Sequence, residues 1–437
     1  MPVLSTVAAA CARAWGFTAG DLFAGAALAL DFDETTTLDS RITFTRATSA
    51  TYFDSSGVLQ TASSGAARFD HRLESGSWVN KGLLIEEQRT NICLQSENIG
   101  TTWVNANTTE SLNAIDAPDG NTTADELIAD VGTATVYYIN QVITTSPNQT
   151  FSTSVYVKNN DAGFFRIQVQ NAAASSNFIR CWFDVANGTV GTANNGGNGS
   201  GATGFIEDVG DGWYRCTLVG KPDTSGASIR VLFTVQTADG QNTWDSTGES
   251  LYLWGAQVEV GAFPTSYIAT TTASVTRNAD LASMTGTDFS DWYNATEGTF
   301  YAVGQSTSST LSCTQWSASD NSSSNRLQNN INFTDPGNVI RLLVNASGSA
   351  QADISVSFTY SATSPVKAIS AYKQNDIAVT ANGAALGTDT SATMPSNDRL
   401  YFGARFDGAT GFLNGHIAKF YYWNTRKSNS FLQNITS

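Results

Sequence analysis

The sequence predicts an all-β protein: an N-terminal segment followed by two β-sandwich domains of the jelly-roll type. Three observations carry this. Short runs that alternate apolar and polar residues recur along the chain, with Gly, Asn, Asp and Pro between them. The 437 residues allow about three domains at roughly 150 residues each, and 41% of them are hydrophobic, enough for sizeable cores. Only 14% are charged, against about 25% in an average soluble domain; Ser, Thr, Asn and Gly fill the difference.

Charge excludes whole classes. Lys and Arg number 23 and Asp and Glu 38, a net charge of −15. A nucleic-acid partner needs a basic face to displace counterions, and an anionic membrane surface repels such a chain. No run approaches 18 apolar residues, so no membrane insertion is expected. Residues 22–30, LFAGAALAL, are short and follow a single early base, Arg13, which argues against a secretion signal. Five cysteines stand at 11, 93, 181, 216 and 313, without C-x-x-C spacing and with only two histidines. Zinc is therefore not expected, and the cysteines read as buried free thiols.

The elements follow in order. Val3 to Phe17 is Ala-rich and reads as a short helix, with Gly16 and Gly20 to end it. It is too small to build its own core, so residues 1–30 are read as a docking and anchoring segment. Residues 31–99 read as a connector with short strands, turning at Asp54-Ser55-Ser56-Gly57 and then rich in charges of alternating sign. Residues 100–272 read as a jelly roll, with strands VYYINQVI, TFSTSVYVK, FFRIQVQN, IRCWFDV, GWYRCTLVG, SIRVLFTVQ and SLYLWGAQVEV. Asn194 to Gly204 lacks the Lys and the strand–loop–helix setting of a phosphate cradle, so it reads as a flexible connection. Ala273 to Asp280 reads as a linker, and 281–437 as a second sandwich that folds separately. Asn382-Gly383 marks a hairpin turn there, and Ser428 to Leu432 a closing helical turn.

Chemistry-bearing residues are sparse. The acidic groups Glu86-Glu87, Glu207-Asp208 and Asp31, Asp33, Glu34 lack the E-x-D-x-x-E spacing of a strand-borne hydrolytic pair. His71 and His416 have no G-x-S-x-G nearby. The sequence thus predicts no enzyme and no cofactor, calcium excepted: Asp116, Asp119 and Asp125 are the densest oxygen cluster that could hold that ion. Trp103, Trp244 and Trp316 sit in polar surroundings and are the candidates for stacking on a sugar face. Trp182, Trp254 and Trp423 lie in apolar strands and read as core.

Certain strings resemble a known group. MPVLSTVAAACARAWGF is similar to the N-terminal segment of tailed-phage fibre and spike proteins. ITFTRATSATYFDSSGVLQTASSGAARFDHR followed by KGLLIEEQRTNICLQSENI resembles a hallmark of phage head-spike fibres. GDGWYRCTL and LYLWGAQVEVGAFPTSYI resemble a carbohydrate-binding-module-like jelly roll. GTFYAVGQ, NGAALG, RLYFGARF and FLNGHIAKFYYWN resemble a laminin-G or concanavalin-like sandwich. The resemblance implies a structural virion subunit, in the head spike or the tail. It would be attached to other virion proteins through residues 1–30 and trimeric, and would display its sandwiches for host attachment to a surface glycan. The alternatives are a secreted carbohydrate-binding or adhesin-type protein and a glycan-degrading tail spike. The net charge leads us to expect a neutral sugar, contacted at Trp316, unless Arg326, Arg341, Arg399 and Arg405 cluster.

Overall fold

In the computed structural model, the described residues are 23–223, 225–307, 312–332, 338–359 and 364–437. The segment Val3 to Phe17 lies outside them. Of the described residues, 53% are strand and 3% helix, as the alternating patterns require, and the strands form two sandwiches.

The first sandwich is a jelly roll of two six-stranded sheets. One runs Thr189–Gly196, Phe178–Asp184, Phe164–Asn171, Ser228–Gln236, Tyr137–Thr144, Val104–Ala106; the other runs Ser200–Asp208, Trp213–Lys221, Phe151–Asn159, Ser250–Val260, Ala124–Ala129, Thr108–Ile115. Alternate residues of each sheet, among them Phe165, Ile167, Phe183, Val231, Phe233, Cys216, Leu218 and Val258, meet in one core. The stretch expected to be a flexible connection is strand on both sides of a turn, where Gly199 donates to the Gly196 carbonyl at 2.9 Å. It carries the chain from one sheet to the other. Its glycines serve close approach: a Cβ on Gly199 would lie 2.0 Å from the Phe178 carbonyl oxygen.

The second sandwich is not 281–437 alone. Its eight-stranded sheet includes Phe69–Glu74 and Ser77–Ile85, and Leu28–Asp31 pairs with the strand Gly415–Trp423. Its seven-stranded sheet ends on Thr43–Thr45, which pairs with Leu281–Thr285. Leu28, Leu30, Phe69, Leu83 and Ile85 share one core with Phe300, Ile340, Phe402 and Phe420. The expected connector is therefore built into this sandwich, and the jelly roll is an insertion between its strands. The helix Asn429–Thr436, N-capped by Ser428, packs Leu432 and Ile435 beside Trp423 on the outer face of the eight-stranded sheet.

The expected linker is likewise structural. Val275–Arg277 pairs with Arg89–Asn91. Asp280 accepts from Arg46 at 2.9 Å and from Arg68 at 2.5 Å, while Glu86 accepts from Arg68 at 2.8 Å and lies 3.6 Å from Arg277. Ser266 of the jelly roll donates its amide and its hydroxyl to Glu86, both at 2.7 Å. Three guanidiniums and two carboxylates thus form one buried network where the two sandwiches meet. Phe53 and Leu59, on the hairpin Ala50–Phe53 and Leu59–Ala62, pack with Tyr156, Trp213, Trp254 and Tyr267 of the jelly roll in the same region.

Candidate functional site

The three tryptophans proposed as sugar platforms are core residues. Trp103 stacks on Phe233 at 5.0 Å and Trp244 lies 4.8 Å from Tyr137. Trp316 stacks on Phe300 at 4.1 Å and is 1% exposed. A β-bulge between Thr314 and Trp316 sets the Trp316 side chain on the core side of its strand. None of the three presents a ring face to a ligand.

The proposed calcium ligands do not converge. Asp116 accepts from the Thr122 hydroxyl at 2.5 Å and Asp119 from the Asn121 amide at 3.0 Å. Asp125 is buried and accepts from the Ile99 and Asn113 amides, each at 2.8 Å. These are turn and loop bonds that use the oxygens a cation would need. Among the described residues the converging acids are Asp31, Asp33 and Glu34, with ligand atoms within 4.8 Å of one another. Lys419 Nζ lies among them at 3.0, 3.0 and 2.9 Å, so an ammonium holds the cation position.

The remaining candidates have structural partners. Glu207 pairs with Arg72 at 2.8 Å. His416 Nε2 lies 2.8 Å from Asp70, which also accepts from Arg72 at 2.9 Å and from the Phe53 amide at 2.8 Å. His71 Nδ1 faces the Phe53 carbonyl at 3.2 Å. Arg341 and Arg399 pair with Asp353 and Asp398. A groove beside the junction is lined by Phe44, Arg46, Glu87, Asn278 and Phe412, but Arg46 is committed to Asp280 and to the Thr48 and Ser63 carbonyls.

One surface stands apart: the side of the jelly roll's first sheet that faces away from the core. Strand alternation dictates it, because Phe165, Ile167 and Val169 point inward and so Arg166, Gln168 and Gln170 point outward. Register aligns three rows across the sheet: Trp182, Arg166, Thr234 and Tyr138; Arg180, Gln168, Leu232 and Asn140; Phe178, Gln170, Arg230 and Val142. Trp182 is fully buried, as expected of it, yet on this outer side. The guanidiniums of Arg166 and Arg180 lie over its ring at 5.2 and 4.8 Å. Its Nε1 donates to the Gln241 carbonyl at 3.0 Å.

Both arginines donate to one oxygen, Asn242 Oδ1, at 3.4 and 2.8 Å, and Arg180 also donates to Asn194 at 2.7 Å. Gln168 donates to Gln170 at 2.6 Å. Among the described residues no carboxylate lies within ion-pair distance of Arg166, Arg180 or Arg230. The buried donors Arg166 Nε, Arg230 Nε and Gln236 Nε2 have no acceptor. Burial, with the neighbouring Arg180 charge a smaller cause, brings the Arg166 guanidinium down to about 10; it remains a cation at neutral pH. Sequence reasoning missed this face because the residues that meet on it come from four separate strands. The i, i+2 spacing of Arg166, Gln168 and Gln170 was its one local sign.

No protein-family model and no curated protein sequence matches the chain. Solved structures give distant likenesses. The NanB sialidase of Streptococcus pneumoniae matches at 12% identity and TM-score 0.28, over 36% of this chain and 26% of that one. The CBM40 of the Ruminococcus gnavus IT-sialidase matches at 13% and 0.28, over 33% and 84%. Mouse laminin α1 domains LG4-5 match at 11% and 0.22, over 66% and 85%. The chain thus spans about a quarter of the NanB chain, and at these TM-scores no functional conclusion rests on the likenesses.

Proposed function

We propose that this chain is a non-catalytic display subunit of a tailed-phage spike or fibre. In this reading residues 1–30 attach it to the particle as part of a homotrimer, and the jelly roll touches a host-surface glycan. The virion assignment rests on the resemblance of residues 41–95 to the head-spike hallmark. That same stretch supplies Arg46, Arg68 and Glu86 to the buried network between the two sandwiches.

The glycan contact rests on one observation, the outer face of the sheet that carries Arg166, Gln168, Gln170, Arg180 and Arg230. Sugars are bound by fixed amide and guanidinium donors that reach several hydroxyls at once, and a strand scaffold holds such groups in place. The test is retention of the labelled full-length chain on a glycan array and on host cells. Gln168→Ala should weaken retention at least tenfold while leaving the near-ultraviolet circular dichroism spectrum unchanged. Undiminished retention would remove the assignment to this face.

A further inference from the structure

We infer that the ligand of this face is an acidic sugar, one bearing a carboxylate or a sulfate, held by Arg166, Arg180 and Arg230. The inference rests on the glycan reading above and narrows it. Three guanidiniums on a single sheet face lack an acidic partner among the described residues, in a chain where acids outnumber bases 38 to 23. Arg166 is 4% exposed, and an unpaired buried charge is costly. Its hydrogen bonds go to neutral oxygens, at 3.4 Å to Asn242 and 3.3 Å to Thr234, both long for an ionised donor.

An oxyanion on this face would supply the missing charge and the missing acceptors together. The Trp182 ring fixes two of the guanidiniums from below, so little side-chain freedom remains to be lost on binding. Gln168, Gln170 and Asn140 lie alongside, each buried to nine-tenths or so, with Asn140 donating to the Val104 carbonyl at 2.9 Å, and Phe178, half-buried with Arg180 over its ring at 4.6 Å, adds an apolar edge. The carboxylates bordering the face are engaged: Asp239 accepts from Thr192 at 2.8 and 2.7 Å, and Asp223 accepts from Asn177 at 3.0 Å and from Asn171.

The overall charge of −15 favours the opposite expectation, a neutral sugar. It acts at long range, and salt screens it beyond about 8 Å at physiological ionic strength. Contact chemistry at the arginines then decides.

The experiment is an array of oligogalacturonate, sulfated galactan and neutral galactan oligosaccharides of matched length, probed with the full chain. Retention of one anionic series at least tenfold above the neutral one is expected, and the two anionic arms assign carboxylate or sulfate. Arg180→Gln and Arg230→Gln should each lower that retention at least tenfold. The partly buried Arg230 guards against loss of fold at the more buried Arg166, and near-ultraviolet circular dichroism checks both variants. Equal retention of neutral and anionic series, lost in Gln168→Ala, would overturn the anionic inference and leave the glycan-binding face standing. Anionic retention unchanged in both arginine variants, or no retention of any series, would overturn the face itself.

Discussion

Arg68 donates to Asp280 across 212 positions of sequence, with both side chains fully buried. Asp280 also takes Arg46 and the Glu86 amide, so one carboxylate ties the first strands of the second sandwich to the segment that re-enters it after the jelly roll. Asp280→Ala would leave Arg46 without an acidic partner and Arg68 with Glu86 alone. Removing one member of a buried ion pair costs about 3–5 kcal/mol, and a loss of that size in urea denaturation at neutral pH is expected. A loss below about 1 kcal/mol would mean that the network adds little to the fold.

Acid should act through the same network. Burial alone would raise the Glu86 carboxyl, but the Arg277 and Arg68 charges and the Ser266 hydrogen bonds outweigh it and hold the group far below the usual carboxylate range. A carboxyl depressed in the folded state gives stability that is fully present above its unfolded value, 4.5. That stability is lost as pH falls toward the folded value. The wild-type chain should therefore lose stability steadily from about pH 5 down to about pH 2. Glu86→Gln should be less stable at neutral pH and show a flatter slope over that window. Urea midpoints at a series of pH values would reveal it, and parallel slopes would count against Glu86.

The interleaved topology bears on fragments. Leu281 to Ser437 lacks Leu28–Asp31, Phe69–Glu74 and Ser77–Ile85, which leaves the strand Gly415–Trp423 paired with Glu297–Ser306 on one side, unpaired on the other, and Phe420 and Ile417 without part of their core. That fragment should show no near-ultraviolet circular dichroism. Residues 91–272, which contain both six-stranded sheets complete, should fold on their own. A folded C-terminal fragment would show that the N-terminal strands merely decorate its sandwich.

Much of the strand content was legible because it is local. Phe164–Asn171, Ser228–Gln236 and Ser250–Val260 fall where alternation places them. The Asn194–Gly204 stretch was misread because Gly and Asn carry no strand signal; its strands exist through pairing with Phe178–Asp184 and Trp213–Lys221. The domain boundaries were misread because pairing between Leu28–Asp31 and Gly415–Trp423 leaves no trace in either segment. Trp316 reads as a stacking candidate because its neighbours are Gln, Ser and Thr, yet on a strand these point to the side opposite the core or bond within it. The arginine face has the same origin: each strand shows a polar alternation, and register alone brings Arg166, Arg180 and Arg230 together.

Lys419 offers a separate test of how the N-terminal strand is held. Its ammonium contacts Asp31, Asp33 and Glu34, and Tyr421 donates to Asp31 at 2.5 Å. These contacts pin the strand Leu28–Asp31 along Gly415–Trp423. Lys419→Met keeps most of the side-chain stem and removes the charge, leaving three carboxylates facing one another. The site is partly exposed, so the loss should be modest, about 1 kcal/mol, with faster amide exchange confined to residues 28–34. The three acids then form an oxygen set with atoms within 4.8 Å of one another, the kind of site a hard divalent cation takes. Millimolar calcium should therefore raise the melting temperature of Lys419→Met and leave that of the wild-type chain unchanged, because there the ammonium holds the position. Equal calcium stabilisation of both proteins would show that the ion binds elsewhere and that Lys419 does not fill a cation site.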